Sequence, residues 1–220
     1  KWDVSKVINM NHMFWGAMDF THRLCRAPWV NSNASKADMF TGSAGSISWR
    51  VCTAPLESGA ELKRDIVECL KSSPFEGDCI NAPYGPIGEW DVSRVTDMAG
   101  LLQGAKTFDF DISDWDVSRV TTMASMFQDA SSFNSDISKW DVSSVTDMHA
   151  MFQSAATFNG DLSKWDVLNV KIMDSMFHNA GAFNGDLSKW DVSRVKYMDI
   201  MFYNAVSFNQ KMCSAAWVNS

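Results

Sequence analysis

The sequence predicts an α/β repeat solenoid of the leucine-rich-repeat type, with one short parallel strand and one helix in each coil. The tripeptide Trp-Asp-Val recurs, and its last five copies are spaced by 25 residues. Each copy is followed by an apolar stripe with helical spacing and then by a second, shorter apolar segment. A fixed period of this length indicates stacked units, each of which buries its apolar face against its neighbours. The copies begin at Trp2, Trp90, Trp115, Trp140, Trp165 and Trp190.

The apolar stripe predicts the helix. With each Trp counted as position zero, Val stands at +5, Met at +8, Met or Leu at +11, Phe or Leu at +12, Ala at +15 and Phe at +18. The spacing from +5 to +15 follows one face of a helix at 3.6 residues per turn. The Ser at +3 is expected to cap its N-terminus. Leu168 replaces that Ser in one coil, so Asp166 or Asn169 must cap there.

The shorter apolar segment predicts the strand. An Ile or Leu at +22 is followed by the next Trp three residues later, which fits a very short strand. One such strand per coil, in register, forms a parallel sheet with strands about 4.8 Å apart. The residues at +22 are Ile112, Ile137, Leu162 and Leu187.

An internal duplication predicts the domain organisation. Residues 20–32 align with residues 208–220 at a constant offset of 188, so a terminating coil occurs twice. We therefore expect residues 1–52 to be the last coil and C-terminal cap of one array, and residues 88–220 to be a second solenoid truncated at its own cap. Residues 53–87 are expected to be a helical insert that caps the second array, with a helix from Ser58 to Ser73.

Composition narrows the class of partner. The net charge of −7 and the pI near 5.0 argue against nucleic acid, because phosphate binding needs basic surfaces. No apolar run approaches the roughly 18 residues of a membrane span, so this segment is not expected to cross a membrane.

The five cysteines lie outside the regular repeats. Their clustering indicates disulfides in an oxidising compartment, while buried thiols in a cytosolic protein are the alternative. Comparison of the two array ends pairs Cys25 with Cys52 and places the partner of Cys213 beyond the chain end. Cys69 is then left to pair with Cys79.

The repeat from Asp186 to Asn209 and its sister copies resembles the BspA-like leucine-rich-repeat surface protein family. The resemblance covers about three-quarters of the chain. It implies a leucine-rich-repeat-like solenoid that is secreted or displayed on a cell surface. The resemblance also implies adhesive or protein-binding roles and no catalytic residues. Together with the cysteines, which indicate an oxidising compartment, we expect a secreted, cell-surface or organelle-lumen location.

Residues at the same position of successive coils would stack into columns. Three such columns, of Asp, Asn and Trp, are candidate sites. The Asp after each Trp could bind calcium, with Asp116, Asp141, Asp166 and Asp191 as weak candidates, but capping of backbone N–H groups is the favoured interpretation. The Asn after each +18 Phe resembles the asparagine ladder of leucine-rich repeats. The Trp column could stack on sugars, although regular aromatics more often belong to a core.

The sequence contains no motif for catalysis. Its four His residues do not converge, and it has no phosphate-binding Gly-rich loop and no nucleophile elbow. We expect no enzyme and no cofactor. The first hypothesis is a non-enzymatic protein–protein interaction or adhesion module; the alternatives are a peripheral structural subunit or scaffold of a large assembly and a carbohydrate-binding protein. The candidate partner-binding residues are Phe110, Ser138, Lys139, Ser163, Lys164, Ser188 and Lys189.

Overall fold

The computed structural model describes residues 4, 6–20, 23–24, 32–47, 56, 58–72, 87–212 and 217. The chain divides into two compact units. The first comprises Lys1–Ala54 and Ile80–Gly85, and the second comprises Pro55–Cys79 and Pro86–Ser220. The first unit contains strands β1 (Arg23–Leu24) and β2 (Ser46–Ile47), which pair in parallel. The second contains helix α1 (Gly59–Ser72) and a 3-10 turn at Ile87–Glu89.

The helix predicted in each repeat is not formed in the described residues 87–212, and this part of the prediction is wrong. The segment from +8 to +15 folds into three overlapping turns. In the Trp115 coil, the N–H groups of Met126, Gln128 and Ala130 each bond the carbonyl three residues earlier. Two residues of that segment, Ser125 and Asp129, have φ of 55° and 59°. These left-handed residues interrupt helical bonding, yet the stripe still faces inward.

The N–H groups left over by the turns join neighbouring coils. Donors at +8, +10, +12 and +14 bond carbonyls 24 residues further on, for example from Met98 to Thr122 at 3.0 Å. A fifth bond runs from the +6 N–H back to the +6 carbonyl of the preceding coil, as from Thr121 to Thr96 at 2.8 Å. Parallel bridges accordingly follow the +7 column of Asp97, Thr122, Asp147, Ile172 and Tyr197. Successive repeats are thus stacked in register.

The strand predicted at +22 is also misplaced. The N–H of Trp115 bonds the carbonyl of Ile112 at 3.1 Å, so this segment is a turn. Its cause is Asp111, whose Oδ1 accepts the N–H of Ser113 and bends the backbone just before the apolar residue. The same turn recurs at Trp140, Trp165 and Trp190.

The core between the coils consists of columns of identical side chains. Met123, Phe127 and Phe133 are fully buried, as are their counterparts in the next coil. The rings of Phe127 and Phe152 lie parallel with centroids 5.5 Å apart, and Phe152 stacks on Phe158 at 4.0 Å. Offset stacking of this kind adds to the energy of area burial.

Helix α1 confirms the helix predicted from Ser58 to Ser73. The Ser58 hydroxyl accepts the N–H of Glu61 at 3.2 Å, and the helix buries Leu62, Ile66 and Cys69 on one face. It lies against the Trp90 coil: a Cβ on Gly59 would stand 1.9 Å from the carbonyl oxygen of Asp97.

Cys69 is disulfide-bonded. The other four cysteines lie outside the described residues, so the pairings of Cys25 with Cys52 and of Cys69 with Cys79, and the position of the Cys213 partner, stay predictions.

The first unit repeats the inter-coil ladder. Within it, the N–H of Met10 bonds the carbonyl of Ser35 at 2.7 Å, and that of Phe14 bonds Met39 at 2.8 Å. Val4, Met10, Ala34 and Met39 form its small core. Among the described helices of the whole chain, none is long and apolar enough to cross a membrane.

Candidate interaction surface

We use the name turn edge for the Asp at +21, the Ser at +23 and the residue at +24 of each coil. In the Trp115 coil these are Asp136, Ser138 and Lys139. The Asp Oδ1 accepts the Ser N–H at 2.9 Å, and the buried Ile137 between them anchors the turn in the core. The turn edge comprises Asp111, Ser113 and Asp114; Asp136, Ser138 and Lys139; Asp161, Ser163 and Lys164; and Asp186, Ser188 and Lys189.

The carboxylates of the turn edge are held ionised. The backbone hydrogen bond from Ser138, followed by that from its hydroxyl, lowers the pKa of Asp136, and the nearby ammonium groups of Lys139 and Lys164 lower it further. The Ser163 hydroxyl has the largest effect on Asp161, lowering its pKa despite the opposing charge of Asp136. These hydrogen bonds thereby offset the repulsion between the Asp carboxylates of successive coils.

The predicted partner-binding residues take two different positions. Lys139, Lys164 and Lys189 are exposed, and no described carboxylate lies within 4.0 Å of their ammonium groups. The predicted serines Ser138, Ser163 and Ser188 are half-buried, and their N–H groups are bonded to Asp. The structure therefore brings Lys and Asp together on one surface, with the serines as its support.

The predicted anchor Phe110 is half-buried, with its ring edge-on to Phe108 at 5.0 Å. It lines an open cavity of about 350 Å³ together with Ile87, Gly88, Glu89, Asp109, Asp111 and Asp114. Phe110 is thus partly packed in place and is not a projecting side chain.

The Asp after each Trp closes a turn. Oδ1 of Asp116 accepts both the N–H and the hydroxyl of Ser118, at 3.1 and 2.6 Å. The Ser at +3 is therefore a donor to Asp, and its prediction as a helix N-cap is wrong because no helix follows. In the coil without this Ser, the Leu168 N–H bonds Asp166 at 3.1 Å. Hydrogen bonds from the Ser143 hydroxyl and N–H likewise lower the pKa of Asp141.

The calcium alternative finds no support at the predicted residues Asp116, Asp141, Asp166 and Asp191. No three His, Cys, Asp or Glu side chains among the described residues are grouped so that they could hold a metal ion. Each coil supplies one of these carboxylates, and Oδ1 of that carboxylate is engaged by a backbone N–H, as the capping interpretation predicts.

The asparagines form a ladder along the stack. The N–H of Asn159 bonds Oδ1 of Asn134 at 2.8 Å, and the N–H of Asn184 bonds Oδ1 of Asn159 at 2.8 Å. Asn209 continues the series on Asn184, and Asp109 begins it by accepting from Asn134. Each side chain thus satisfies one turn N–H of the next coil, and the column is structural.

The Trp column is buried and links neighbouring coils. The exposed fractions of Trp115, Trp140, Trp165 and Trp190 are 3%, 4%, 4% and 1%, so these rings offer no face to a sugar. This overturns the Trp column as a carbohydrate platform. Each indole N–H bonds the carbonyl of the Ile or Leu 28 residues earlier, three residues before the Trp that begins the preceding coil, as from Trp140 to Ile112 at 3.1 Å. Sequence reasoning missed this bond, although an Ile or Leu stands 28 residues before each of these Trp residues.

Comparison with known proteins gives one result. The family model described as "Mycoplasma protein of unknown function, DUF285" matches residues 1–48, 74–171 and 135–220. The chain belongs to this family. BspA-like surface repeats are also in the DUF285 family. No curated protein matched the chain, and no solved structure matched it.

Proposed function

We propose that this DUF285 protein is a non-enzymatic protein–protein interaction module, with its repeats forming a solenoid and its turn edge contacting the partner. We further propose that it is of the BspA-like type and acts outside the cell, on a cell surface or in an organelle lumen. The observation that carries the proposal is the turn edge itself, with ionised Asp and exposed Lys repeated on successive coils.

The chemistry of the turn edge suits protein recognition. Exposed charges at a rim steer association and select partners, while each contributes little affinity. Lys139, Lys164 and Lys189 recur at one spacing, so a partner that engages one coil can engage the next without rearrangement. Binding through such a surface weakens as ionic strength rises.

A peripheral structural subunit is the second candidate. It is favoured by the near-identity of the coils, because a specific binding site usually needs coils that differ from one another.

The test begins with cross-linking mass spectrometry on native source material. We expect cross-links from Lys139, Lys164 and Lys189 to converge on one protein, which is then purified for direct binding. The triple variant K139A/K164A/K189A should bind it at least 10-fold more weakly in low salt. The matched control, K6A/K106A/K171A, removes the same charge from exposed lysines elsewhere in the chain and should bind within about twofold of the parent.

Equal weakening in the two triple variants would show that net charge, and not the turn edge, governs binding. Cross-links confined to Lys196 and Lys211, with none at the turn edge, would favour the structural-subunit alternative.

A further inference from the structure

The first unit contains an acceptor triplet for N-linked glycosylation. Asn33 is followed by Ala34 and Ser35, which fits the requirement for Asn, then any residue except Pro, then Ser or Thr. A glycan is bulky and hydrated, so a triplet can carry one only where the Asn side chain lies on the protein surface. The exposure and the contacts of Asn33 therefore decide whether the folded unit has room for a glycan.

Asn33 lies on the outside of the first unit. Asn33 and Ser35 are both exposed, whereas Ala34 between them is only 6% exposed and belongs to the small core of this unit. The middle residue thus anchors the triplet in the core, while the acceptor Asn and the Ser face solvent. A glycan on Asn33 displaces no buried group.

The backbone on both sides of Asn33 is held in place. The ammonium group of Lys36 donates to the carbonyl oxygens of Ser32 and Ala34, and the Ser32 hydroxyl accepts the N–H of Ala34 at 3.2 Å. Ser35 is paired with Asn9 in a parallel bridge. In the described part of the first unit, the side chain of Asn33 itself makes no hydrogen bond. Its amide Nδ2 is therefore available without the loss of a native contact.

Other asparagines of the chain are engaged by the fold. Oδ1 of Asn9 accepts the N–H of Asn11, and Oδ1 of Asn11 accepts the N–H of Ala37 and the Ser35 hydroxyl. Each ladder Asn accepts an N–H of the next coil and has Asp two residues later, where the triplet needs Ser or Thr. These ladder residues are Asn134, Asn159 and Asn184. Asn33 differs from both groups, because it has the triplet and a side chain that the fold does not use.

We propose that Asn33 is an N-linked glycosylation site. The inference rests on the proposed location outside the cell, on a cell surface or in an organelle lumen, because glycosylated triplets belong to secreted proteins. The co-substrate is an oligosaccharide linked to a lipid diphosphate. Nδ2 of Asn33 attacks C1 of its first sugar, the N–C bond forms as the bond from C1 to the diphosphate oxygen breaks, and the lipid diphosphate leaves. The amide loses one proton to a base of the transferase.

The test is peptide mapping of the native protein from its source material. Digestion with a peptide-N-glycosidase in heavy-oxygen water converts a glycosylated Asn to Asp and introduces one heavy oxygen atom, which mass spectrometry locates. We expect this label at position 33, together with faster migration of the protein on a denaturing gel after digestion. Recovery of the peptide that contains Asn33 without a glycan and without the label overturns the proposal.

Matched variants, secreted from a eukaryotic cell line, assign the glycan to the triplet. S35T keeps a hydroxyl and the triplet, so it should keep the glycosidase-dependent shift in migration. S35A and N33Q each destroy the triplet and should lose the shift completely. A shift that persists in N33Q, or that S35T loses together with S35A, overturns the proposal.

The same proteins separate this proposal from the proposed function. N33Q should bind the cross-linked partner as the parent does, because the lysines of the turn edge are unchanged. K139A/K164A/K189A should keep the complete glycosidase-dependent shift, even where its binding is weakened. Loss of the shift in this triple variant would show that glycan addition depends on the turn edge and not on the triplet, which overturns the assignment to Asn33.

Discussion

Replacing Trp165 by Phe tests whether the buried indoles hold adjacent coils together. Trp165 is 4% exposed, and its Nε1–H donates at 3.1 Å to the carbonyl of Ile137, which lies three residues before Trp140. Phe keeps an aromatic ring but cannot donate. The Ile137 carbonyl keeps its second donor, the N–H of Trp140, so the substitution leaves no buried polar atom wholly unpaired.

The expected loss is the sum of two contributions. The lost hydrogen bond costs about 1 kcal/mol. Shrinking the ring removes roughly two buried methylene equivalents, at about 0.8 kcal/mol each. We therefore expect W165F to lower the free energy of unfolding of the repeat unit by about 2–3 kcal/mol, combining these contributions. At roughly 2–4 °C per kcal/mol for 150–250 residues, Tm falls by about 4–12 °C.

The assay is urea unfolding followed by far-UV circular dichroism. Hydrogen exchange then shows which part of the repeat unit is destabilised. The control is W15F in the first unit, where the indole is 58% exposed and a change of about 0.5 kcal/mol or less is expected. If W165F costs no more than W15F, the indole hydrogen bond and its packing do not hold the coils. Faster exchange should be concentrated around Trp165 and the turn from Ile137 to Trp140 that its indole contacts, because each repeat contacts only its neighbours.

Three further predictions concern backbone conformation, helix packing and acid stability. Ser154 has φ of 58°, so S154G should raise the free energy of unfolding by about 0.5–1 kcal/mol, measured by urea unfolding. G59A should destabilise the repeat unit by more than about 2 kcal/mol in the same assay, because its Cβ would overlap the Asp97 carbonyl. The Ser143 hydroxyl lowers the pKa of Asp141, so S143A should reduce stability above about pH 4, and the difference from the parent should shrink as pH falls through the folded-state pKa of Asp141.

Each of the three has a control within the chain. S132G, at an exposed site with ordinary φ, should destabilise by about 0.5–1 kcal/mol, opposite in sign to S154G. G181A, where a Cβ meets nothing within 4 Å, should be close to neutral. S132A removes a hydroxyl with no hydrogen bond to a carboxylate, so its effect should not depend on pH. A loss in S143A that is equally large at pH 6 and below the pKa would contradict the proposed hydrogen-bond effect on Asp141.

The period and the buried positions were predictable from the sequence, and the local conformation was not. Val120, Met123 and Phe127 were expected in the core and are fully buried. The same apolar spacing is satisfied by overlapping turns, because these also return to one face every three or four residues. The sequence signal that favours turns over a helix is the pair Gly100 and Gly104, at positions that other coils fill with Ser, Ala, Asp, Asn or Ile. Both glycines have left-handed backbone conformations in the structure.

The roles of the Asp and Asn columns were predictable, because short polar side chains at turns hydrogen-bond to nearby backbone N–H groups. Asp and Asn at turns accept N–H groups within two residues or from the adjacent coil, and both behaviours follow from residue type and period. The indole bond to the +22 carbonyl could not be predicted, since it depends on where the ring of one coil lies against the backbone of another.

Position +24 shows that folding of the turn does not determine which charged residue occupies it. The first coil of the array has Asp114 there, and its turn closes with the same bonds as its successors: Ser113 to Asp111 at 3.0 Å and Trp115 to Ile112 at 3.1 Å. The following three coils have Lys139, Lys164 and Lys189 at that position, with the same backbone geometry. Because the turn accepts either charge, its folding does not account for three consecutive exposed lysines. The recurrence of these lysines is a property of the exposed surface, and it is the reason for proposing that the turn edge contacts a partner.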